Sequence, residues 1–320
     1  MSKKIILLIA MLAIAGCTSG GKNTDLNKDV YKGTVGVLTT FYGNMPQEVF
    51  EGETLSLALK FENKGAYEVK NAKYVVSLEK EYMRFSNNDY IYQTFFQNII
   101  SQKGKLLEGK NIYTDFDDFH IEEIPLKVGQ LDDFSEYHDT TILTSFCYDY
   151  YGIAIADFCV DTDPHNLKQD DKACKEMPSL SMGGGQGGPV AIDRVETRML
   201  VDNNIIRPQF KIYFRNLGQG TVITPGKYKD VCSSSPIGFE SYNTLMVTQL
   251  EFSNYNLNNF ECLPKDLMLI NDEDFMTCTF KGNSITRTTP AYMTPIKIEF
   301  AYGYKETASK EIKIKKILKY

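Results

Sequence analysis

The chain has 320 residues, 42% hydrophobic and 24% charged, the proportions of a folded globular protein, which excludes general disorder. Its length predicts about two domains of roughly 150 residues, each with a core of its own. The 35 basic and 41 acidic residues leave a formal net charge of −6, the wrong sign for gripping phosphates, so no nucleic-acid partner is expected.

Lys3 and Lys4 precede an unbroken apolar run from Ile5 to Ala15, about 16 Å long as a helix and half of what a bilayer core requires. That is the layout of a secretory signal peptide, residues 1–16. Ile14-Ala15-Gly16-Cys17 reads as a lipobox, with Cys17 as the lipidated residue at the head of a polar tether, residues 17–30. The expected location is the cell membrane, lipid-anchored and facing the extracytoplasmic side.

Beyond the tether the chain repeats itself. Residues 55–69, LSLALKFENKGAYEV, align with residues 208–222, PQFKIYFRNLGQGTV, at an offset of 153. Leu57, Leu59 and Phe61 fall on Phe210, Ile212 and Phe214; Asn63, Gly65 and Val69 fall on Asn216, Gly218 and Val222. Alternating apolar positions make each copy a half-buried strand, and Asn-x-Gly closes it with a turn. Phe146-Cys147-Tyr148-Asp149-Tyr150 matches Phe300-Ala301-Tyr302-Gly303-Tyr304, and Val37 stands opposite Val190.

Each copy shows six or seven short strands with turn residues between them. The predicted architecture is all-β: two tandem Ig-like antiparallel β-sandwich domains, residues 31–165 (with an insertion) and 189–320. The insertion includes a helix candidate, Tyr90 to Gln102. Residues 166–188 form the linker, and its Met182–Gly188 stretch, MGGGQGG, reads as flexible. Alternating Ile312, Ile314 and Lys313, Lys315 suggest a final strand whose lysines discourage edge pairing.

Six cysteines remain: Cys147, Cys159, Cys174, Cys232, Cys262 and Cys278. An even number in an exported chain predicts disulfides. If Tyr148–Phe158 is a hairpin, Cys147 pairs with Cys159, Cys262 with Cys278, and Cys174 with Cys232; Cys159 with Cys174 is the rival pairing. Without a CxxC spacing, no metal site or cofactor is expected.

The lipobox, the tandem copies and Asn-x-Gly after an alternating strand resemble the CARDB-like group of Ig-like modules on prokaryotic surface proteins, in particular archaeal membrane lipoproteins. The resemblance implies adhesion, display or assembly, with an extracellular or envelope protein as partner and no catalytic residues to carry over.

Enzyme signatures support a non-catalytic reading. GxSxG, HExxH and P-loop motifs are missing, and Ser77-x-x-Lys80 lies on a predicted strand. His120 and His138 sit among carboxylates as surface histidines do. The alternative function is a glycan- or Ca²⁺-binding lipoprotein. Asp161, Asp163, Asp170 and Asp171 offer oxygens to a cation, although Asn166 and Lys172 occupy the EF-hand glycine and glutamate places. Asn87–Tyr92 and Asn254–Phe260 offer aromatic and amide groups to a sugar.

Overall fold

The computed structural model describes residues 30–95, 107–113, 117–168, 171–233 and 237–317. The signal peptide, Cys17 and the tether through residue 29 lie outside the described residues. Among the described residues, strand accounts for 56% and helix for 4%, as the period-2 patterning predicts.

The first half contributes β1 (Val37–Phe41), β2 (Glu48–Phe50), β3 (Thr54–Asn63), β4 (Ala72–Ser77), β5 (Met83–Phe85), β6 (Ile91–Phe95), β7 (Phe119–Val128) and β8 (Tyr137–Val160). A short β9 (Ser179–Ser181) precedes the second half. There follow β10 (Val190–Asp202), β11 (Ile205–Asn216), β12 (Thr221–Ile223), β13 (Thr244–Phe252), β14 (Phe260–Leu263), β15 (Leu267–Met268), β16 (Glu273–Phe280) and β17 (Tyr292–Lys315). One helical turn, α1 (Tyr228–Val231), follows β12.

These strands form three sheets, ordered β1-β3-β7-β5, β14-β16-β11-β10-β9 and β15-β13-β17-β8-β4-β6. Their inward side chains join one apolar cluster that includes Phe61, Phe146, Phe210, Phe214 and Phe300. The repeat is structural as well as sequential: Val37 pairs with Asn63 as Val190 pairs with Asn216. Seven strands of each half correspond, and their order departs from the Ig expectation. An Ig sandwich places its first, second, fourth and fifth strands in one sheet. Here the first, second, fourth and sixth share a sheet (β1, β3, β5, β7; β10, β11, β14, β16).

The largest departure from the expected tandem is the shared sheet. β8 and β17 are 24 residues each and pair along their whole length, from Tyr137↔Lys315 through Asp149↔Gly303 to Val160↔Tyr292. The turn expected between Tyr148 and Phe158 does not exist. Gly152 lies inside the strand opposite Phe300, whose ring would stand 2.3 Å from any Cβ there; this glycine admits a ring and makes no turn. Each long strand ends in the other half. Phe158 of β8 packs 5.0 Å from Phe210 of β11, and the end of β17 pairs in parallel with β2, Lys313 opposite Glu48. Lys313 and Lys315 therefore flank no sheet edge; Lys315 reaches Glu48 at 2.6 Å and Lys313 reaches Asp139 at 3.7 Å.

Four tyrosines line the centre of this pair. The Tyr148 hydroxyl accepts the Val37 N–H at 3.0 Å, and the Tyr302 hydroxyl accepts that of Val190 at 3.4 Å. Tyr150 accepts from the Tyr67 N–H at 3.1 Å and donates to Asn63 Oδ1 at 3.4 Å. Tyr304 does the same with the Gly220 N–H at 2.7 Å and Asn216 Oδ1 at 3.4 Å. Each asparagine also accepts the N–H two residues on, from Gly65 or Gly218, the Asx turn that the Asn-x-Gly pattern predicts.

Two local expectations are corrected. Met182–Gly188 is a packed segment from Gly185 onward, not a flexible linker. The Gly33 N–H donates to the Gly184 carbonyl at 2.9 Å, and the Ala66 N–H donates to that of Gly187 at 2.7 Å. Within the helix candidate Tyr90–Gln102, residues 91–95 are strand β6, paired with β4, and residues 96–102 lie outside the described residues.

The disulfides are Cys147–Cys232, Cys159–Cys174 and Cys262–Cys278. Cys262 and Cys278 sit opposite each other on β14 and β16. The pairing of Cys147 with Cys159 is ruled out because both lie on β8, about 40 Å apart along an extended strand, whereas a disulfide needs Cα atoms within about 7 Å. Cys232 is thereby freed from Cys174, and the Cys147 bridge ties the α1 segment to the outer face of the shared sheet, over Ile223, Tyr228 and Val231.

Candidate functional site

An apolar concavity of about 800 Å³ opens beside the second half of β8. β4 pairs with β8 only as far as Tyr148, so from Ile153 onward no strand lies on that side among the described residues. The Tyr67 hydroxyl accepts the Ile153 N–H at 3.0 Å and ends the ladder. Burial raises the pKa of Tyr67, which keeps this hydroxyl protonated. Its ring packs at a tilt against Tyr31 and Tyr151, with centroids 6.0 and 4.3 Å away.

Ile153, Ala154, Ile155 and Ala156 form the floor of the groove, and Tyr31, Lys32 and the 181–186 segment form its walls. Gln186 sets that second wall. Its Nε2 donates to the Met182 and Ile192 carbonyls at 3.0 and 3.1 Å, and its Oε1 accepts the Ile192 N–H at 2.7 Å. The charged lining residues are Lys32 and Lys297. A hydrogen bond from Lys297 to Glu299, 2.6 Å away, raises the lysine pKa, so it stays cationic. Among the described residues, neither carboxylate, imidazole nor thiol lines the groove. Such a surface suits binding by backbone and apolar contact rather than proton or group transfer.

A smaller concavity, of about 260 Å³, holds the acidic cluster. Its carboxylates are already committed. Asp161 Oδ1 accepts the Asp163 N–H and its Oδ2 meets Lys172 Nζ, each at 2.9 Å. The Asp163 oxygens accept the N–H groups of Leu167 and Lys168 at 3.1 and 2.9 Å, with Arg287 3.8 Å away. The Lys168 bond, first among these, lowers the Asp163 pKa. Lysine thus stands where a cation would, and the expected Ca²⁺ reading finds its donors turned to their own loop. Asp171 lines the same hollow; Asp170 lies outside the described residues.

The other sequence candidates are scattered. Asn87 Oδ1 accepts the Asp89 N–H at 3.1 Å. Asn256 and Asn259 cap their own turn, and Tyr255 and Phe260 pack on Phe280. The two aromatic-amide stretches lie in opposite halves and do not converge. Ser77 ends β4, with Lys80 beyond the strand. His120 contacts Glu122 at 3.2 Å, and His138 contacts Glu79 at 3.0 Å while stacking on Tyr82. The β8 groove is not anticipated by any sequence motif. Its one linear sign is the Ile-Ala-Ile-Ala run, which reads as ordinary strand until its neighbours are known.

No family model matches the chain, and no curated protein matches its sequence. Similar solved structures include Spo0M, a sporulation control protein of Bacillus subtilis, at 11% identity and a TM-score of 0.15, covering 56% of this chain and 80% of that one. Another is the secreted serine protease VesC of Vibrio cholerae, at 10% identity and 0.20, covering 90% and 53%. A third is the Enterococcus faecalis MSCRAMM ACE, which binds its ligands by the collagen hug model, at 8% identity and 0.19, covering 90% and 98%. Scores this low carry no functional argument for this chain.

Proposed function

We propose that the chain is a non-catalytic, lipid-anchored surface protein that makes protein contacts on the outward face of the cell membrane. The observation that carries this reading is the pairing of all six cysteines beyond Cys17, a state that persists in oxidising compartments and is rare in the cytosol. The lipobox ending at Cys17 supplies the anchor, and the groove beside β8 supplies a surface suited to a partner.

The test is mass spectrometry of the protein made in an exporting cell, with membrane fractionation alongside. The expected mature chain begins at a diacylated Cys17, resists thiol labelling until reduced, and sediments with membranes. Cys17→Ser is expected to release it into the soluble fraction. An unmodified Cys17, or free thiols in the native protein, overturns the reading.

A further inference from the structure

The sequence contains a single Asp-Pro bond, Asp163–Pro164, just beyond the end of β8 on the connection towards β9. Two properties make such a bond cleavable from within. The aspartate side chain closes a five-membered ring when it attacks its own carbonyl carbon, with no second reactant to bring in. The proline nitrogen, a tertiary amine once released, takes up a proton more readily than other peptide nitrogens and so leaves more easily.

The fold adds a third property at the carbonyl itself. The Asp163 carbonyl oxygen accepts the Asn166 N–H at 3.0 Å, the closing bond of a turn with Pro164 in its second place. It also accepts Lys172 Nζ, which the turn does not supply. Asp161 holds that ammonium at 2.9 Å, with the lysine side chain only 14% exposed. Its other oxygen accepts the Asp163 N–H at 2.9 Å. An ammonium and an N–H on one carbonyl oxygen form an oxyanion hole. The hollow of about 260 Å³ lined by Asp163, Lys172 and Thr289 brings water to the same place. Two of the disulfides, Cys147–Cys232 and Cys159–Cys174, straddle the bond.

We propose that the chain cleaves its own Asp163–Pro164 bond in mild acid, giving a two-chain protein held together by these two disulfides. A carboxylate oxygen of Asp163 attacks the Asp163 carbonyl carbon, and Lys172 and Asn166 hold the resulting oxyanion. The C–N bond to Pro164 breaks, and the nitrogen takes a proton from solvent. Water then opens the cyclic anhydride, restoring the side-chain carboxylate and freeing an α-carboxylate, so one water is consumed in all. The charged groups around the bond are Asp161, Asp171, Lys168, Lys172 and Arg287. The Lys168 N–H bond, ahead of the other causes, lowers the Asp163 pKa, so the nucleophile stays ionised into the acidic range. The rate therefore rises as pH falls and declines only once Asp163 is protonated. Cleavage is a single event on the chain itself and does not depend on the anchor.

The test incubates the full mature protein in detergent with protease inhibitors at about pH 5 and about pH 7.5. The products are read by reducing and non-reducing gels, intact mass and N-terminal sequencing. Expected at the lower pH is one band without reductant, two with it, a new N-terminus at Pro164 and a mass gain of one water. The chain denatured in urea with its disulfides intact gives the rate of the bare bond, and the folded protein is expected to be about 10²-fold faster. Lys172→Gln is expected to lose about that factor, while Pro164→Ala and Asp163→Glu stop cleavage. Thermal midpoints establish that each variant is folded. A folded protein no faster than the denatured chain, or a Lys172→Gln variant at the original rate, overturns the proposal. Cleavage that persists in Pro164→Ala overturns it in favour of a contaminating protease. Membrane release by Cys17→Ser is read separately, so failure here leaves the anchoring result standing.

Discussion

Asn63 and Asn216 show how much one side chain can organise. Each closes its own turn and accepts a tyrosine hydroxyl from the opposite layer. Tyr150→Phe strands the Tyr67 N–H in a buried site, so a loss of about 1–3 kcal/mol is expected by denaturant titration. Burial raises the pKa values of Tyr148, Tyr150, Tyr302 and Tyr304. A raised folded value means that the stabilising contribution is complete below the unfolded pKa, about 10, and is lost as pH rises through the folded value. Alkaline unfolding above roughly pH 10 is therefore expected, with loss of β-sheet circular dichroism coinciding with tyrosinate absorbance. Tyrosinate absorbance that grows while the circular dichroism holds would contradict it. The glycine-rich segment offers a second residue-scale test. Gly187 has φ +74° and its Cβ would lie 2.3 Å from Ala66 Cβ, whereas Gly184, at φ +92°, has open space. Gly187→Ala is expected to lose about 2–3 kcal/mol and Gly184→Ala about 1 kcal/mol in the same titration.

Among the elements, β8 and β17 decide most. Alternating apolar residues and the aromatic repeat make both legible as strands, but their length is not legible. Gly152 and Gly303 look like turn residues in one dimension, and only the ring of Phe300 and the side chain of Ile223 across from them explain why they are glycine. The same misreading misassigned two disulfides, since a hairpin would have brought Cys147 beside Cys159. Of the three bridges, Cys147–Cys232 spans 85 residues and Cys159–Cys174 spans 15. In the chain-entropy model their removal costs about 4.5 and 3 kcal/mol respectively. The Cys147→Ala/Cys232→Ala pair is therefore expected to lower the thermal midpoint more than Cys159→Ala/Cys174→Ala. The reverse order in calorimetry would refute that ranking.

For the whole molecule, the shared sheet makes the two halves interdependent. Phe158 completes the core of the second half, and the end of β17 closes the first against β2. One cooperative unfolding transition is expected in calorimetry. Residues 31–165 expressed alone are expected to remain unfolded or to aggregate, because half of β8 would lose its partner and expose an apolar edge. Two resolved transitions, or a stable isolated half, would show that the interlock contributes little. The openness of the Ile153–Asp157 edge belongs to this scale too, since it follows from where β4 stops and not from the residues of β8.

From sequence alone come the all-β class, the twofold repeat, the Asn-x-Gly turns and the even set of cysteines. All of these rest on local periodicity, local turn chemistry or counting. Tertiary structure alone decides which strands are neighbours, which cysteines meet, why the strand glycines are there and which edge stays open. Those are contacts between residues far apart in the chain, and a one-dimensional pattern records that a face is apolar without recording what covers it.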